Sequence, residues 1–160
     1  MSIRATTSNG LTSTGRHPKA ILRLSSCIKV KAKTKYGQTP FSVGCENGHL
    51  ALVRLLLKDP RTDVTLADID NRTPLWWASC NGMLEVVEWL IASGRDLGDI
   101  DFKGRLNEGF EYSAVEIVRE RKNAETVQVL KRFLANSELT RQEIRKDLHF
   151  TSIPCSSLLF

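Results

Sequence analysis

The sequence predicts an all-α solenoid, a row of helix-turn-helix units stacked side by side, and three observations carry that reading. Thr39-Pro40-Phe41 returns 34 residues later as Thr73-Pro74-Leu75. Glu46-Asn47-Gly48-His49-Leu50 returns in the same register as Cys80-Asn81-Gly82-Met83-Leu84. Leu52-Val53-Arg54-Leu55-Leu56 returns as Val86-Val87-Glu88-Trp89-Leu90. A period of this length, with a cap-forming opening and a mid-unit Gly turn, marks stacked helical repeats. Each unit leaves an apolar stripe that only a neighbour can bury. Such an array offers a continuous surface, which points to recognition rather than catalysis.

Residues 1–27 read as a disordered basic lead-in with a remnant of helix near Lys19 to Leu24. The stretch is rich in Ser and Thr and free of acids, as in a mitochondrial transit peptide, but Asn9-Gly10, Gly15 and Pro18 oppose an amphipathic helix. Ile28 to Tyr36 is an extended arm, the tail of a preceding unit, entering a turn at Gly37.

The first full unit spans 34–67. Thr39 caps its first helix, with Pro40 at the first helical position, where a missing N–H costs nothing. Asn47-Gly48 closes that helix. Leu50, Val53, Leu56 and Leu57 line one face of the second, and Asp59-Pro60 stops it. The second unit, 68–100, repeats this with Thr73-Pro74, Asn81-Gly82 and the stripe Leu84, Val87, Leu90 and Ile91. The third unit, 101–136, is degenerate. Seven extra residues separate Gly104 from its cap Ser113, and its second helix carries Val127, Leu130, Phe133 and Leu134. Thr140-x-x-Glu143 is a capping-box pattern for a C-terminal helix within 137–149. Residues 150–160 read as a disordered tail.

These residues resemble the ankyrin repeat family. Lys33 to Phe41 is similar to its opening turn and helix, and Asn47-Gly48-His49-Leu50 and Asn81 to Val87 to its inter-helix turn. The resemblance covers about residues 28–136 and implies β-turn or hairpin fingers between the helix pairs. Two copies are good, one is degenerate and a fragment precedes them, so the chain reads as a monomer or as part of a longer array. Ser42 and Trp76 stand where the family has a His after Thr-Pro-Leu, which puts that residue's hydrogen bond to the neighbouring unit in doubt. Asn71 replaces a turn glycine, and Asn tolerates positive φ. Lys122 replaces another, so a looser or differently shaped turn is expected there. Trp77 is expected to fill the core.

The resemblance also implies a partner surface on the concave side. Its residues are Lys35, Tyr36 and Gln38 on the first tip, Ile69, Asp70 and Arg72 on the second, and Phe102, Lys103 and Arg105 on the third. The first helices add Ser42, Glu46 and Asn47, then Trp76, Cys80 and Asn81. Aromatic, Arg and small polar residues suit a protein partner.

Charge supplies the competing reading. Residues 1–35 hold eight lysines and arginines and no carboxylate, so the remaining chain carries −3 of the net +5. That segment could dock on nucleic acid or an anionic membrane. The isoelectric point of about 9.2 belongs to it and not to the repeats, so nucleic acid is not the expected partner of the body. No apolar run reaches the about 18 residues of a membrane span. Cys27, Cys45, Cys80 and Cys155 are far apart and read as reduced thiols, Cys27 and Cys45 as small core residues, in an intracellular protein, cytoplasmic or nuclear. His17, His49 and His149 are equally scattered, and no metal, cofactor or catalytic constellation is expected.

Overall fold

The computed structural model describes residues 29–106 and 109–149. The expected lead-in and tail, with Cys27 and Cys155, lie outside the described residues. The order is α1 (Pro40–Glu46), α2 (Leu50–Leu57), α3 (Pro74–Cys80), α4 (Leu84–Ala92), β1 (Gly104–Arg105), β2 (Glu111–Tyr112), α5 (Ala114–Glu120), α6 (Ala124–Ala135) and α7 (Ser137–Asp147). The fold is an all-α solenoid of helix pairs. The first helices α1, α3 and α5 pack in one row, and the second helices α2, α4 and α6 form another.

Local chemistry sets the first helices. Thr39 Oγ1 accepts from the Ser42 N–H at 3.1 Å while Ser42 Oγ accepts from the Thr39 N–H at 2.8 Å. Thr73 Oγ1 caps α3 through the Trp76 N–H at 3.1 Å. Ser113 and Glu116 close a reciprocal box on α5, at 3.3 and 2.8 Å.

The three inter-helix turns share one geometry. Gly48, Gly82 and Lys122 have φ of 68°, 66° and 59°. The following N–H bonds back five residues in each: His49 to Gly44, Met83 to Ala78 and Asn123 to Val118, at 2.9, 2.9 and 3.2 Å. The third turn is thus neither looser nor differently shaped, contrary to expectation. Packing of α5 and α6 imposes the geometry, and Lys122 takes a left-handed conformation that costs a non-glycine residue about 1–2 kcal/mol.

Val53, Leu56, Val87, Leu90, Val118 and Leu130 are fully buried, so neighbouring units share one interior. In α6 the buried stripe runs through Thr126, Leu130 and Phe133, and Leu134 is exposed rather than on it.

Arginines tie the second row together. Arg95 donates to the Leu57, Asp59 and Thr62 carbonyls where α2 ends. Helix α7 lies against α4 and α6. Its Arg145 Nε donates to the Ala92 carbonyl, at the end of α4, at 2.7 Å. α7 begins three residues before the expected cap. Asn136 ends α6 and caps α7, accepting from the Leu139 N–H at 3.0 Å. Thr140 lies inside the helix, buried, with its hydroxyl on the Asn136 carbonyl.

Candidate partner-binding surface

Three fingers lead into the helix pairs, and the first two are each built by a polar side chain of their own. In the first, Thr34 Oγ1 accepts from the N–H groups of Tyr36 and Gln38, at 3.3 and 3.2 Å. Gly37 then turns at φ 78°. In the second, Asp68 Oδ1 accepts from the N–H groups of Asp70 and Arg72, both at 3.0 Å. Asn71 supplies the positive φ, 61°, as expected. The two fingers share a pattern of bonds two and four residues on, a hydroxyl in one and a carboxylate in the other. The third finger is the insertion. It forms a short antiparallel hairpin, Gly104 opposite Tyr112 and Arg105 opposite Glu111.

Main-chain bonds join finger to finger. The Ile69 N–H donates to the Tyr36 carbonyl at 3.1 Å, and the Arg105 N–H to the Asp70 carbonyl at 2.8 Å. These links hold the tips in one row. Tyr36, Ile69 and Phe102 all stay exposed on it, Ile69 by 67%. Lys35 extends over the Tyr36 ring, 4.8 Å from its centroid. Lys103 and Arg105 are exposed on the third finger, and Arg105 reaches Glu111 at 3.4 Å.

Four expected contact residues are interior rather than on the concave surface. Ser42 is buried because its hydroxyl completes the α1 capping box. Arg72 is buried because its guanidinium bridges Asp68 at 2.9 Å and Asp70 at 2.7 Å, and stacks on Trp77 at 4.4 Å. Cys80 is buried in α3, and that burial pushes its thiol up, against the opposing pull of Arg121. Trp76 is 1% exposed, wedged against Gly104 with its Nε1 on the Tyr112 carbonyl at 2.7 Å. That bond is a unit-to-unit link in a place where one was in doubt. Trp77, expected to fill the core, is instead half-buried, with Nε1 on Asp68 at 3.2 Å.

The remaining helix residues form a polar floor. Gln38 donates to the Glu46 carboxylate, and the Asn81 amide crosses between units to the Glu46 carbonyl, both at 2.7 Å. Asn47 is exposed, its amide on the Val43 carbonyl at 2.9 Å.

Phe110 is 59% exposed on the hairpin finger, although nothing in the repeat register singles it out. Its one signal is an aromatic side chain in the insertion, whose other apolar residues, Leu106 and Tyr112, are half-buried. Among the described residues, no group of three or more His, Cys, Asp or Glu is placed to hold a metal. No described helix is long and apolar enough to cross a membrane.

The chain is similar to known repeat proteins. A family model of ankyrin repeats (3 copies) matches residues 12–101. The match starts inside the expected lead-in and stops where the degenerate unit begins. Ankyrin repeat domain-containing protein 63 of Homo sapiens is 36% identical over 80 residues, 48% of this chain and 20% of that protein. Its Mus musculus counterpart is 35% identical over the same length. Transient receptor potential cation channel subfamily A member 1 of Drosophila melanogaster is 27% identical over 142 residues, 84% of this chain and 11% of that protein. The matches thus span a fifth or less of these relatives' own lengths.

Proposed function

Because this chain belongs to the ankyrin repeat family, whose arrays are generally protein-protein interaction modules, we propose that it binds a protein partner through its finger row. The contact residues are Lys35, Tyr36, Ile69, Phe102, Phe110, Lys103 and Arg105, above a floor of Gln38, Glu46, Asn47, Asp70 and Asn81. The chain acts in this reading as a scaffold and not as an enzyme.

One observation carries the reading. Exposed apolar side chains recur on three successive fingers, and main-chain bonds fix those fingers relative to one another. A preset row loses little freedom on binding, so contact area converts more fully into affinity. An isolated exposed Ile means little, but a row of apolar side chains with a polar rim is the usual make-up of an interface.

Photo-crosslinking tests it. A crosslinker at Ile69 is expected to trap a discrete protein from cell extract, and one at Lys58, on the α2 end, is not. Ile69→Asp is expected to remove the product without lowering the thermal midpoint. Equal trapping from both positions would refute the finger row. Capture of nucleic acid or lipid by residues 1–35, with steep loss in moderate salt, would favour the basic segment instead.

A further inference from the structure

We infer that the finger row takes an extended acidic peptide segment bearing apolar side chains, with its carboxylates at the first finger. This rests on the fingers being the partner surface and adds the chemistry of the partner.

Charge along the row is polarised. Lys33 and Lys35 are exposed at the first finger, Lys29 and Lys31 are exposed on the arm leading into it, and no carboxylate falls between them in sequence. The ion pairs among the described residues are all made by arginines, so these lysines have no carboxylate of their own there. The next acid, Glu46, accepts from Gln38 at 2.7 Å. On the second finger, Arg72 bridges Asp68 at 2.9 Å and Asp70 at 2.7 Å, so that tip presents Ile69 beside two acids that share one cation. The third finger mixes Asp99, Asp101 and Glu111 with Lys103 and Arg105, and it shows Phe102 and Phe110. Carboxylates are therefore drawn to the first finger, and apolar side chains to the second and third.

An extended segment suits this row because, at about 3.3 Å per residue, a short one can lie along successive fingers. A nucleic acid suits it less. Phosphates would use the lysines, but neither phosphate nor base gains from an exposed aliphatic Ile69, whereas a leucine does. Single exposed charge pairs are weak and screened by salt, so the charge effect is a sum over several lysines.

Fluorescence anisotropy on the full chain tests this with a labelled short peptide carrying glutamates at one end and leucines at the other. A lysine-leucine peptide and a single-stranded oligonucleotide serve as controls. The glutamate peptide is expected to bind about tenfold more tightly than the lysine peptide, and more weakly as salt rises. Ile69→Asp and the double change Lys33→Glu with Lys35→Glu are each expected to weaken it about tenfold at an unchanged thermal midpoint. Equal affinity for the two peptides, insensitivity to either variant, or easier displacement by the oligonucleotide would overturn the inference. If the Ile69 crosslink to a cellular protein survives while the glutamate peptide fails, the finger surface stands and its acidic partner falls. If both fail, both readings fall.

Discussion

The indole Nε1 of Trp76 donates to the main-chain carbonyl of Tyr112 at 2.7 Å, which joins the second helix pair to the hairpin leading into the third. The Cβ that Gly104 lacks would stand 3.0 Å from that nitrogen. Gly104 and Trp76 therefore fit as a pair, and the residue that spacing aims at a partner is instead a joint between units.

Trp76→Phe keeps most of the bulk and removes the donor, which leaves the Tyr112 carbonyl without this partner. The expected loss is about 1–3 kcal/mol. Trp76→Ala opens a cavity as well, with an expected loss of about 3–5 kcal/mol. Urea unfolding followed by circular dichroism measures both. A Trp76→Phe variant as stable as the parent would show that the bond contributes nothing.

The turns give a prediction of opposite sign. Lys122 at φ 59° bears a left-handed penalty that glycine lacks. Lys122→Gly is therefore expected to stabilise by about 0.5–1 kcal/mol, after allowing for the freedom glycine gains in the unfolded chain. Gly82→Ala is expected to destabilise by about 1–2 kcal/mol. Its φ is 66° and its new Cβ would lie 2.6 Å from Asn123 Nδ2. Thermal unfolding of the two variants decides it, and a lower midpoint for Lys122→Gly would contradict the shared turn geometry.

Two carboxylates make stability depend on pH in opposite directions. The Arg61 side chain hydrogen-bonds to Asp59 at 2.6 Å and, against the effect of burial, holds its carboxyl down at about 2. The unfolded value is about 3.9. A depressed pKa stabilises above the unfolded value, and that contribution fades as the pH falls toward 2. Asp59→Asn is therefore expected to lower the urea midpoint at neutral pH and to match the parent near about pH 2.

Glu88 has the reverse sign. Burial first, then the nearby acids Asp147, Glu85 and Glu125, push its carboxyl up. A raised pKa favours the fold while the group is protonated and costs stability as the pH rises through it. Glu88→Gln is expected to raise stability at neutral pH by about 0.3 kcal/mol, the scale of an exposed like-charge pair, and to have no effect in acid. A loss at neutral pH would mean that Glu88 has a favourable partner.

Local chemistry is what the sequence makes legible. Thr39, Thr73 and Ser113 cap where their own neighbours dictate, and Asn71 turns where only a small polar residue or glycine does so cheaply. The stripes of α2 and α4 follow from helical spacing alone. The choice between Trp76 and Trp77 does not, because adjacent residues both border the core and the hairpin at 104–112 decides which is enclosed. That hairpin is an insertion with no counterpart in the other units, which also hides Phe110. The sequence offers Thr140 as the cap of α7, but Asn136 takes the role because α6 ends there. Arg72 sits on a finger by sequence, yet Asp68, Asp70 and Trp77 together draw it inward. Such choices depend on residues brought together by the fold.

Unfolding read at two separate units is the most direct test of a shared interior. Cys45, buried in the first unit, has a thiol raised by burial, so alkylation at Cys45 reports that unit's opening. The tryptophans, Trp76, Trp77 and Trp89, all lie in the second unit, so fluorescence reports its loss. Along a urea series the two signals are expected to share one midpoint, and Leu90→Ala in the second unit to lower both equally. Cys45 becoming reactive at lower urea than the fluorescence change, or Leu90→Ala moving the fluorescence alone, would show that each unit holds its own core.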